Sequence, residues 1–340
     1  LPYVPLFSYA LTEMGTETED YVKLTQRIGR TTGGIYPSRY VSARLEGDEA
    51  VAWLSLRGKA TMAHGRDMLN IMRDVLLTVK LDNQERFRQM VLEEKASEEG
   101  SLIPAGHQVA AGRLAAHFSE AGWVKEQMGG VDYLFFVRQL ADEVEKDWPA
   151  VLEKLETVRR LLVNRANMLC NITLDGENWR DFQPVLGDFL SAFPTAVVNH
   201  QTWQRGSLPA NEGLTIPAQV NYVGKAANLY DLGYTHHSSV SVISNLLNTN
   251  YLWERVRMRG GAYGAFAPFN AYTGVFQQIS YRDPNLLQTV EVYDNTAVYL
   301  RQLDLSQDDI AKAIIGVIGS MDSYQLPDAK GYSSLNRYLL

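Results

Sequence analysis

The residues best arranged for chemistry lie in one run, Trp253-Glu254-Arg255-Val256-Arg257-Met258-Arg259-Gly260-Gly261-Ala262-Tyr263-Gly264. Three arginines close a helical pattern, where cations complement the carbonyl end of the helix dipole. That structural role alone would account for Arg255, Arg257 and Arg259. The paired glycines allow a positive-φ exit from the helix. Tyr263 then opens a strand pattern, with Gly261 and Gly264 leaving its side chain little cover. An arginine at a helix end and a tyrosine at the next strand start can converge on one small volume. There they would donate hydrogen bonds to peptide carbonyls, or to the oxyanion of an acyl-transfer transition state.

Other chemistries find less support. The histidines are His64, His107, His117, His200, His236 and His237. None sits in H-E-x-x-H or H-x-x-E-H, the spacings that put two imidazoles on one helical face beside a general base. His236-His237 has no carboxylate within four residues, and His107 and His117 stand nearly three helical turns apart. No metal ligands are therefore expected in this chain. The lone cysteine, Cys170, lies in an apolar strand pattern and reads as core. Asn171-Ile172-Thr173 matches a glycosylation acceptor, but the same strand pattern argues against its use. No nucleophile elbow, phosphate loop or dinucleotide fingerprint occurs. The chain does not carry a complete catalytic apparatus of its own.

These residues must be positioned by a sizeable fold. The 340 residues suggest about two domains. With 46% apolar and 21% charged residues the composition is globular, and disorder is excluded. A net charge of −7 argues against a nucleic-acid surface. The longest uncharged stretches, Leu232–Trp253 and Gly260–Tyr281, are too polar to span a bilayer. One cysteine rules out a disulfide framework and fits a reducing compartment. Neither end carries a start or stop signal, so the chain reads as a piece of something longer.

Periodicity predicts the elements. A Thr16-x-x-Glu19 capping box opens a helix that ends at Gly33-Gly34. Tyr40–Ala43 and Ala50–Leu56 read as strands around a turn at Glu46-Gly47-Asp48. Helices follow over His64–Val79, Asn83–Glu99, Pro104–Gln127, Val131–Glu145 and Trp148–Asn164. A strand is expected at Met168–Leu174 and a helix at Asn178–Phe193. Residues 200–217, rich in Gly, Pro and polar residues, read as a linker. Beyond it come a strand at Ala218–Gly224, a helix at Val240–Met258, strands at Tyr263–Phe269 and Gly274–Tyr281, and a helix at Asn285–Leu303. A last helix is capped by Ser306 and Asp309.

The two sections repeat. A helix reaches Gly33-Gly34-Ile35-Tyr36 in the first and Gly260-Gly261-Ala262-Tyr263 in the second, at an offset of 227 residues. Two strands follow each, with Arg57 and Arg282 closing the second strand, and then two helices. The expected class is α+β, with two duplicated domains, each a mostly antiparallel sheet with helices packed on one face. The domains are placed at 1–199 and 218–340, the second incomplete at its C-terminus.

At YLWERVRMRGGAYGAF the sequence resembles the pitrilysin-like, inverzincin metallopeptidases, and among them the presequence protease subfamily. The strings LPYVPLFSYALTEMGT, KEQMGGVDYLFFV, PAQVNYVGKAANLY and GYSSLNRYLL extend the resemblance over the whole chain. It implies the C-terminal half of a zinc-dependent oligopeptidase, its third domain and most of its fourth. The enzyme would degrade unfolded peptides such as cleaved presequences. Zinc would be bound by the absent N-terminal half, which would be this chain's partner, and the fragment alone would be inactive. The resemblance gives Tyr263 a catalytic role, contacting the scissile carbonyl and its oxyanion, and Arg257 a substrate-binding role on a neighbouring carbonyl. Arg30 and Tyr36, their first-section counterparts, receive no role beyond structure. The compartment would be a bacterial cytoplasm or an organelle matrix or stroma, with no membrane or nucleic-acid partner. An exposed chamber surface would favour self-association of the fragment. The competing reading is a non-catalytic core or substrate-binding subunit of the same fold.

Overall fold

A computed structural model describes residues 1–45, 49–197, 202–322 and 324–340. The first section begins with α1 (Tyr3–Glu13) and α2 (Tyr21–Thr31), then a hairpin of β1 (Ile35–Ala43) and β2 (Ala50–Gly58). Seven helices follow: α3 (Gly65–Leu77), α4 (Gln84–Ser101), α5 (Gly106–Phe118), α6 (Glu120–Glu126), α7 (Val131–Lys146), α8 (Trp148–Leu162) and α9 (Gly176–Ser191). The second section has β3 (Gly224–Asn228), α10 (Ser239–Leu246), β4 (Gly264–Phe266) and β5 (Val275–Tyr281). It closes with α11 (Leu287–Asp294), α12 (Thr296–Gln302), α13 (Gln307–Met321) and α14 (Pro327–Leu339). Among the described residues no helix is long and apolar enough to cross a membrane.

The expected α+β class holds. Both sheets are small and antiparallel, one of β1-β2 and one ordered β3-β5-β4. In the first section Leu6, Phe7, Leu11, Phe87, Met90, Val137, Leu140 and Leu155 interlock α1, α4, α7 and α8. Each such side chain contributes roughly 1.5–3 kcal/mol by leaving water. In the second, Leu247, Leu252, Val256 and Tyr293 pack with Val223 and Ala265.

Strand β5 is buried on both faces, which differs from a sheet covered on one side only. Its Gln277 side chain donates to the Ala111 carbonyl of α5 at 2.9 Å, while Gln278 turns the other way to Thr296 of α12 at 2.6 Å. The second sheet is thus closed by its own helices on one face and by α5, from the first section, on the other. Residues 202–217 form no helix or strand.

Several local expectations are corrected. Asp20, not Thr16, caps α2, its carboxylate accepting the Lys23 amide at 2.9 Å. Thr16 and Glu19 instead pair with each other across a tight turn. The helix expected over Pro104–Gln127 breaks at Ser119, whose extended backbone starts α6 and whose hydroxyl accepts the Gly122 amide. A side chain at Gly122 would strike the Ala115 carbonyl, so glycine is what lets the two pieces fold against each other. Likewise Asn285–Leu303 breaks at Asn295. Met168–Leu174 forms no strand, and Cys170 and Asn171 are exposed rather than core. That stretch finds no ladder partner, and β propensity without one does not make a strand.

The third strand starts at Gly224, later than expected. Just before it the Val223 amide bonds to the Ser280 hydroxyl instead of a backbone carbonyl, which interrupts the ladder. The Glu46-Gly47-Asp48 turn, His200 and Gln201 lie outside the described residues. The Ser306 and Asp309 capping box is present in full.

Candidate functional site

The helix expected over Val240–Met258 begins as α10 and then widens. Leu247–Tyr251 and Trp253–Arg259 are π-helical. The buried side chains explain the register, because Leu247, Tyr251, Leu252 and Val256 recur every four to five residues. A π turn keeps such a set on one face, and π segments occur mostly at functional sites. The wider turn also brings Glu254 and Arg259, five residues apart, into an ion pair.

Arg257 projects from this segment. Its guanidinium carbon lies 3.8 Å from the centroid of the Trp253 ring, one turn back. A planar cation stacked on an indole is held by its face, which leaves its N–H edge free to donate. Among the described residues Arg257 forms no ion pair. Arg255 is exposed, so the three arginines of the run are parted: one stacked, one paired, one in solvent.

The helix ends in a braced turn. The Gly261 amide donates to the Arg257 carbonyl at 2.9 Å and the Ala262 amide to the Val256 carbonyl at 3.1 Å. Gly261 has φ +81°, the left-handed geometry that glycine adopts without strain. The β5–α11 loop supports this turn from behind. Asn285 donates its side-chain amide to the Gly260 carbonyl, and Pro284 would meet a Cβ at Gly261 at 3.5 Å. The loop itself is fixed by Asp283, which is fully buried. Its carboxylate accepts the Asn285 amide at 2.9 Å and the Thr289 hydroxyl at 2.7 Å.

Tyr263 leaves the turn with its amide bonded to the Tyr281 carbonyl at 3.0 Å, at the very end of the sheet. Its side chain is 70% exposed, and its hydroxyl has no partner among the described residues. The Arg282 guanidinium lies 5.9 Å from the Tyr263 ring centroid. Arg257 and Tyr263 are therefore anchored to one turn, each presenting donors to solvent. Trp253, Asp283 and Asn285 were not singled out in the sequence. Trp253 stands four residues before Arg257, a spacing that could have signalled the stack. The other two become visible only when β5 and the helix end meet.

Among the described residues no group of three or more His, Cys, Asp or Glu is placed to hold a metal ion. His64 pairs with Asp67, His237 bonds to Ser239, and His107 packs edge-on to Tyr281 at 4.7 Å. Burial lowers the pKa of His107 below the usual imidazole value.

The chain aligns with the crystal structure of the periplasmic protease PqqL from Escherichia coli. The TM-score is 0.57 at 9% identity, covering 99% of this chain and 36% of that one. The fold is thus that of the pitrilysin-like peptidases. Residues 1–140 match the peptidase-associated family model of this group, and residues 211–340 match the model described as the PreP C-terminal domain. Presequence protease 1 of Arabidopsis thaliana, chloroplastic/mitochondrial, is 45% identical over the whole chain and 32% of its own length. Protein HypA of Clostridium perfringens is 30% identical over the whole chain and 35% of its own. The chain belongs to the presequence protease family, in its C-terminal part. It spans about a third of the length of the curated relatives it matches.

Proposed function

We propose that this chain is the part of a zinc-dependent oligopeptidase that closes over the substrate, and that the whole enzyme degrades unfolded peptides such as cleaved presequences. In this reading Tyr263 donates its phenolic proton to the scissile carbonyl and stabilises the oxyanion as it forms. Arg257, stacked on Trp253, directs its N–H edge to a neighbouring substrate carbonyl. The observation that carries the reading is the exposed Tyr263 phenol, with no partner among the described residues, launched from a turn braced on two sides. Donors fixed before the reaction need no reorganisation when charge develops, which is how such groups lower a barrier.

Zinc would be bound by the remainder of the enzyme. The described residues do not fit a metal site, so this chain's contribution is hydrogen bonding and enclosure. The remainder would also be its principal partner. Helix α13 supports this, since Ile315, Ile318 and Met321 are 57–77% exposed on a helix that buries only Ala313. In isolation that surface would favour self-association. The domain division at 1–199 and 218–340, around a linker at 200–217, belongs to the same proposal. So does an organelle matrix or stroma as the compartment, with a bacterial cytoplasm the alternative.

The test is Tyr263→Phe in the whole enzyme. Turnover should fall by roughly 10²–10³-fold with folding intact, the loss typical of one oxyanion donor. Unchanged turnover rejects the role.

A further inference from the structure

We propose that Arg282 is a positioning residue for the Tyr263 phenol, held in place by a strained turn. This rests on the oxyanion role proposed for Tyr263. Arg282 is the one non-glycine residue with positive φ among the described residues, at +48°. A β-carbon disfavours that geometry, and it persists only where the surroundings dictate it. They do so here. The next residue, Asp283, is fully buried, and its backbone exchanges two hydrogen bonds with Asn221, at 2.7 and 2.9 Å. Its carboxylate is held by Asn285 and Thr289. With β5 fixed on one side and this clamp on the other, the chain passes Arg282 in the left-handed region.

The outcome is a guanidinium set between two rings, 5.9 Å from the centroid of Tyr263 and 5.5 Å from that of Tyr281. Tyr281 is in turn packed on His107 of α5. Tyr263 itself makes no ring–ring contact among the described residues, so Arg282 is the group that orders it.

The first section supplies the internal comparison. There Tyr36 lies opposite Arg57 in the ladder, with the guanidinium 5.6 Å from the ring. That arginine has ordinary backbone geometry, and its guanidinium is covered by Tyr332 of α14 at 3.8 Å. The tyrosine–arginine contact across the hairpin therefore needs no strain. Strain occurs in the section that carries Arg257, where the ring is left open to solvent.

The experiment uses the whole enzyme with Arg282→Ala, Arg282→Lys, Arg282→Gly, Tyr263→Phe and the double variant Arg282→Ala/Tyr263→Phe. Loss of the cation–π contact should lower kcat about three- to thirtyfold with KM near the wild-type value. Arg282→Lys should recover part of the loss. Arg282→Gly, which relieves the φ strain, should melt no lower than wild type yet lose turnover as Arg282→Ala does. Adding Arg282→Ala to Tyr263→Phe should cost nothing further. Wild-type kcat in Arg282→Ala while Tyr263→Phe is impaired overturns the proposal, as do two losses that simply multiply. If Tyr263→Phe itself turns over normally, the oxyanion reading fails on its own. A crystal structure of Arg282→Ala then decides the positioning claim, and an undisturbed Tyr263 ring overturns it.

Discussion

Asn285 donates its side-chain amide to the Gly260 carbonyl at 2.5 Å, joining the start of α11 to the end of the π-helix that carries Arg257. The bond satisfies a carbonyl at a helix terminus, where the helix itself supplies no donor. Because Asn285 is also held by Asp283, the turn before Tyr263 takes its position from the buried end of β5.

Asn285→Ala should therefore cost about 0.5–1.5 kcal/mol of stability, the net worth of one such bond. Asn285→Asp should cost more, because it removes the donor and sets a carboxylate against both the Gly260 carbonyl and Asp283. Urea denaturation of the two variants beside wild type checks the order. Equal stabilities would mean that the bond does not brace the turn.

The two glycines of the turn should respond differently to alanine. At Gly261 a Cβ meets only Pro284 at 3.5 Å, so the cost is the left-handed φ of +81°, about 1–2 kcal/mol. At Gly260 φ is ordinary, but a Cβ would lie 2.5 Å from the Val256 carbonyl oxygen. Backbone cannot yield as a side-chain end does, so the helix end must move. Gly260→Ala should cost about 1–3 kcal/mol and should also shift Tyr263. Thermal melts with turnover in the whole enzyme separate the two. Gly261→Ala should lose stability first, and Gly260→Ala should lose both.

What the sequence made legible follows from how local each signal is. The repeated Gly-Gly-x-Tyr units were readable, and in both copies the second glycine takes positive φ, +112° at Gly34 and +81° at Gly261. The Ser306 cap was readable because its partners lie within one turn. The π register was not, although the stripe Leu247, Tyr251 and Leu252 was seen, since spacings of four suit α- and π-helices alike. Packing of Val256 and Leu252 into the second core decides between them. Met168–Leu174 failed for the converse reason. Its apolar pattern was strand-like, but pairing is a tertiary event, and here Asn171 bonds to Gly331 of α14 instead. Arg282 was visible as a strand-end arginine, whereas its strain depends on the buried Asp283.

A charged network far from the turn gives a prediction with a pH axis. Arg113 of α5 bonds to Glu126 at 2.9 Å, to Asp132 at 2.8 Å and, as a two-pronged fork, to Glu212 at 2.7 and 2.9 Å. Glu126 is buried and caps α7, accepting the Val131 and Asp132 amides. Arg113→Ala would leave that carboxylate uncompensated and should cost about 3–5 kcal/mol. Burial raises the Glu126 pKa, whereas the hydrogen bond from Arg113 lowers that of Glu212, with His117 adding a smaller push in the same direction. The two carboxylates thus act in opposite senses. A depressed folded-state pKa means that Glu212 stabilises the fold above the unfolded value, about 4.3, and loses that contribution as pH falls through the lower folded value. Glu126, with a raised pKa, contributes its share at low pH and loses it as pH rises. Denaturation of wild type and Glu212→Gln at several values from about pH 6 to pH 3 should show a smaller acid-side loss in the variant. Parallel curves would mean that the fork does not hold Glu212 ionised.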